Sequence, residues 1–145
     1  FADCLATARW METEWGAVHT IGIKPLVELK KTQRLEDYPI ISKLALAWFD
    51  QPECAKAAAD FRWALENIFT LPELAILFTE QPATVAVAAE ILGGEVGEFG
   101  RRLLGAQEVP EFIERRTNAF LQRRIAALHM SDREYWRAVI GELKT

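Results

Sequence analysis

The segment Arg123-Arg124-Ile-Ala-Ala-Leu-His129 holds the residue types best suited to chemistry. An imidazole titrates near neutrality and can give or take a proton, and a guanidinium can hold a phosphate or a developing oxyanion. Other catalytic constellations are missing. The only other histidine is His19, far from His129 in the sequence. No metal or other cofactor is therefore expected. No Ser or Cys stands in a nucleophile elbow. Gly93-Gly94, Gly97 and Gly100 lack the spacing and the preceding strand of a phosphate-cradling loop, and read as helix breaks and close helix packing. A second basic group, Lys24, Lys30, Lys31 and Arg34, is either a solvated face closing a helix C-terminus or a binding surface.

Five tryptophans, Trp10, Trp15, Trp48, Trp63 and Trp136, fall at helical core-facing spacings and are expected inside, where an aromatic ring buries a large apolar area. Only Arg133-Glu-Tyr-Trp-Arg137 interleaves aromatics with cations as a platform for stacked bases would.

Two resemblances follow from these residues. Arg123, Arg124 and His129 resemble the Arg-then-His motif of HEPN ribonucleases, in which a dimer of all-α domains brings two copies to one cleft. That likeness implies His129 as acid/base and Arg124 or Arg123 as phosphate holder, although Ile125 stands where the family places a polar residue. The segment from Val18 to Phe49, with Ile21, Leu26, Lys30, Lys31, Thr32, Arg34, Asp37 and Ile41, resembles the tail of the minimal nucleotidyltransferase fold of toxin–antitoxin and abortive-infection systems. Asp132 to Leu143 resembles the end of uncharacterised bacterial proteins of that kind. The family's Gly-Ser turn and its paired Mg²⁺-binding aspartates are nowhere in the sequence. The likeness thus implies a non-catalytic helical interaction module, with an unrelated helical adaptor as a further alternative.

The elements that must carry these residues read as helices. Leu5, Ala8, Met11 and Trp15 predict a helix over Asp3 to Trp15, stopped by Gly16. Alternation over Val18 to Ile23 predicts one short strand with no partner in the chain. Further helices are predicted from Pro25 to Lys31, Glu36 to Phe49, Glu53 to Phe69, Thr70 to Phe78, Pro82 to Gly93, Glu95 to Leu104 and Pro110 to Met130. A last one opens on the capping box Ser131-Asp-Arg-Glu134. The fold class expected is all-α, a single-domain bundle of about six to eight helices over residues 1–145. The chain opens on Phe1, and a preceding segment is expected.

Size and charge agree with that class. At 145 residues, half of them hydrophobic, the chain can bury a sizeable core. No apolar run approaches the length that spans a bilayer, and no membrane partner is expected. The only cysteines, Cys4 and Cys54, make no disulfide framework and read as small buried hydrophobes in a cytoplasmic protein. Residues 1–100 carry 8 Lys/Arg against 15 Asp/Glu, and residues 101–145 carry 9 against 6. An acidic body with a mildly basic C-terminal third fits a protein partner or a second copy, and leaves nucleic acid as a possible ligand of that third.

Overall fold

A computed structural model describes residues 9–13, 16–20, 22–31, 34–105 and 108–144. Strands β1 (Arg9–Thr13) and β2 (Gly16–Thr20) form an antiparallel pair that sets Met11 opposite Val18. Seven helices follow: α1 (Ile23–Lys30), α2 (Asp37–Phe49), α3 (Ala58–Glu66), α4 (Leu71–Glu80), α5 (Thr84–Leu92), α6 (Gly94–Leu104) and α7 (Glu111–Lys144). The all-α bundle expected from periodicity is what the chain builds. No helix among the described residues is long and apolar enough to cross a membrane.

Four boundaries differ from the sequence reading. Arg9–Thr13 is a strand rather than part of a helix, and it supplies the partner that the strand around Val18 lacked. The Met11 and Trp15 spacing suited a helix, but Arg-Trp-Met-Glu-Thr also offers the aromatic and β-branched residues that a pleated pair accepts. The strand ends at Thr20; Gly22 is the N-cap of α1, and Ile23 packs on the core. Residues 3–8, 14–15 and 21 of the predicted elements, with Cys4 and Trp15, lie outside the described residues. Next, α3 begins only at Ala58. Lys56 takes a left-handed conformation at φ 55°, and the Ala57 N–H is capped by Asp60 Oδ2 at 3.0 Å. Last, Ser131-Asp-Arg-Glu134 opens no new helix. No Gly or Pro falls between Pro110 and Gly141, so α7 runs unbroken for 34 residues.

The core has two parts. The larger joins Phe49, Leu65, Leu74, Phe78, Val96, Phe99, Ile113 and Leu121 from α2 to α7. The smaller gathers Val27, Tyr38, Ile41, Phe69 and Ile125. Ser42 links elements across it: its Oγ donates to Tyr38 O at 2.9 Å and accepts from the Phe69 N–H at 2.8 Å. Gly93, at φ 104°, turns α5 directly into α6. The two helices then pack with almost no space between them, since a Cβ on Gly97 would fall 2.5 Å from Ala89 Cβ.

Candidate functional site

The residues expected to do chemistry are separated by the helix that carries them. Five residues on an α-helix turn a side chain through about 140°, so Arg124 and His129 cannot share a face of α7. Arg124 turns inward. Its Nη2 donates to Glu66 O at 2.9 Å and its Nη1 to Ile68 O at 3.3 Å, which satisfies carbonyls left open at the end of α3. Its guanidinium lies 4.8 Å from the centre of the Phe69 ring. Burial lowers its pKa, partly offset by Glu66. Arg123 instead pairs with Glu95 at 3.7 Å. Neither guanidinium is brought to His129 to hold a phosphate.

The four cations of the other basic group are also dispersed. Lys24 places its ammonium 4.1 Å from the Trp48 ring and 5.0 Å from the Trp63 ring, and the two indoles meet edge-on at 4.8 Å. Lys30 pairs with Asp37 at 3.5 Å and Lys31 with Glu28 at 3.0 Å. Arg34 is exposed in the turn before α2. Three of the four therefore fasten α1 to its own chain or to its neighbours.

The residues that the structure does bring together lie on the C-terminal half of α7. The buried residues of this helix are Ile113, Thr117, Leu121 and Ile125, all in its first half. Beyond them Tyr135 is 62% exposed, Trp136 48%, Ile140 48% and Leu143 82%. Tyr135 and Trp136 touch edge-on at 5.4 Å. With half-buried Val139 they make an apolar stripe at three- and four-residue steps, which is one helix face. Of the tryptophans expected inside, Trp48 and Trp63 are half-buried and Trp136 is exposed, because the body of the bundle does not extend this far along α7.

Cations flank that stripe. The other arginines of α7 are occupied within the chain: Arg115 pairs with Glu111 at 2.8 Å, Arg116 with Glu98, and Arg123 and Arg124 as above. Arg133, Arg137 and Lys144 have no ion pair among the described residues. Arg133 and Arg137 form a ridge between two shallow grooves. One, of about 430 Å³, runs past His129, Met130 and Leu35. The other, of about 520 Å³, runs past Trp136, Ile140, Gly141 and Lys144. Among the described residues no three His, Cys, Asp or Glu side chains converge as metal ligands.

The site is therefore an exposed amphipathic helical arm on a helical bundle. No protein family, curated protein or solved structure matches the chain. The Tyr135-Trp136 pair with its flanking arginines was visible in the sequence, but the Ser131 capping signal disguised it as a separate, packed helix.

Proposed function

We propose that this chain is a non-catalytic interaction module that binds another protein through the C-terminal half of α7. The single observation that carries the reading is the contrast within one helix: its first half buries a full apolar stripe, and its second half leaves one open beside unpaired cations. A face of four exposed large apolar side chains beside half-buried Val139 is costly in water and marks a contact surface. Ile140, Val139 and Leu143 favour a protein over single-stranded nucleic acid, because aliphatic side chains give bases nothing to stack on. The net charge of −4 points the same way.

The ribonuclease alternative needs Arg123 or Arg124 beside His129 in one cleft, and both are engaged elsewhere. Kinship with nucleotidyltransferase-type antitoxin proteins, and a cytoplasmic setting, belong to the proposal on the strength of the sequence alone. The test is a photoreactive amino acid in place of Trp136, irradiated in the full chain both pure and in cell extract. A discrete protein adduct, self or foreign, that Leu143→Asp abolishes is the expected result. Absence of any discrete protein adduct in both samples overturns the reading.

A further inference from the structure

We infer that the groove shared by His129, Arg133 and Arg137 binds a small phosphate monoester with an apolar organic group; this goes beyond the interaction reading above and does not rest on it. The three residues stand four apart on α7 and so follow one face of the helix. They line a single groove of about 430 Å³, within the roughly 300–1,000 Å³ of small-molecule sites. Helical side chains lean toward the N-terminus, so both arginine arms reach back over the turn that carries His129 and Met130. Leu35, from the turn before α2, bounds the groove on the side of the bundle. The site is thus made by two parts of the fold, not by the helix alone.

Charge selects the ligand. Arg115, Arg116, Arg123 and Arg124 are held by partners within the chain, whereas Arg133 and Arg137 have no ion pair among the described residues. Glu134 also lines the groove, three residues before Arg137, a spacing that permits an ion pair on a helix, yet the two do not pair. Each guanidinium offers parallel N–H donors to phosphate oxygens. Two of them about 6 Å apart along the helix can hold one tetrahedral group from two sides. The imidazole of His129 adds an N–H donor in either neutral tautomer. Two guanidinium charges against the one carboxylate of Glu134 leave the groove positive. A monoester dianion gains about twice as much from that field as a carboxylate or a phosphodiester, because Coulomb energy scales with charge.

The walls select the rest of the ligand. Leu35, Ala126 and Met130 line the groove beside the cations, and Leu35 and Met130 are both exposed. An apolar group esterified to the phosphate would cover them, as apolar walls with a few placed polar groups do in small-molecule sites.

Isothermal titration calorimetry of the full chain with phenyl phosphate tests this, in about 0.1 M salt, where charges beyond roughly 10 Å are screened. The expected result is saturable one-to-one binding at millimolar ligand, with inorganic phosphate and benzoate both weaker. Arg133→Gln and Arg137→Gln should each weaken it at least about tenfold, the loss of one charge-assisted contact. Glu134→Gln should tighten it about two- to fivefold by removing the opposing charge. Arg115→Gln makes the same change in net charge about 20 Å away along α7 and should leave it within about twofold. All four positions are exposed and outside both cores, so helical circular dichroism should be retained in every variant. No saturable binding of phenyl phosphate, affinity unmoved by both groove arginines, or an equal loss from Arg115→Gln each overturns the inference. Benzoate bound as tightly as phenyl phosphate overturns it too, because the groove would then read apolar surface and not a dianion.

Discussion

Arg124 shows why residue type and spacing did not disclose role. As a pair, Arg124 and His129 look like an acid/base with its phosphate clamp, yet the guanidinium serves two carbonyls at the end of α3 and the face of Phe69. Nothing local to residues 123–129 announces those partners, which stand 56 and 58 residues away in the chain. Arg124→Met is expected to cost about 2–3 kcal/mol, because it strands carbonyls that a charged donor had satisfied. Arg124→Lys should recover little of that loss, since an ammonium cannot fork to both oxygens and stack on the ring together. Urea denaturation of the two variants checks this. Tyr38 makes a second prediction at this scale. Its hydroxyl donates to Lys31 O at 3.2 Å, and its ring meets Phe69 edge-on at 5.0 Å. Burial, and then the charge of Asp132, raise its pKa above the ordinary 10.0. The unfolded chain therefore ionises this phenol first, and the folded state resists. The Tyr38 contribution to stability is complete below about pH 10 and is lost as pH rises through the folded value. Unfolding measured from pH 8 to 11 should show the decline in the natural chain, and Tyr38→Phe should remove that part of it.

Among the elements, those legible in the sequence are bounded by local chemistry. Pro39 in the first turn and the Phe49-Asp50 end mark α2, Thr70 with Pro72 marks the start of α4, and Gly93-Gly94 divides α5 from α6. The elements misread are those set by distant contacts. Lys56 donates to Phe49 O at 3.0 Å and keeps the chain out of a helix until Ala58, a constraint that helical periodicity over residues 53–69 does not register. The strand β1 is defined by its pairing with β2, and the same five residues alone are compatible with a helix. The glycines of α6 were read correctly as close packing, and they make a prediction that runs against helix propensity. Alanine is the better helix former by about 1 kcal/mol. A Cβ at Gly100 would nonetheless lie 2.8 Å from both Val85 methyls, and one at Gly97 would meet the Ala89 side chain and backbone of α5. Gly97→Ala and Gly100→Ala are each expected to destabilise by about 1–3 kcal/mol through overpacking. Thermal melts should show the Tm falling in both, where propensity alone would raise it.

For the molecule as a whole, α7 divides into a half that packs on the body and a half left exposed, and the division can be tested by removing the second. Everything that α7 buries lies at or before Ile125. Ending the chain after Arg133 removes the whole exposed stripe and takes nothing from either core. The shortened chain should unfold with a free energy within about 1 kcal/mol of the full one, as surface changes generally do. Urea denaturation of both chains checks this. A large loss of stability would show that residues 134–144 support the bundle itself.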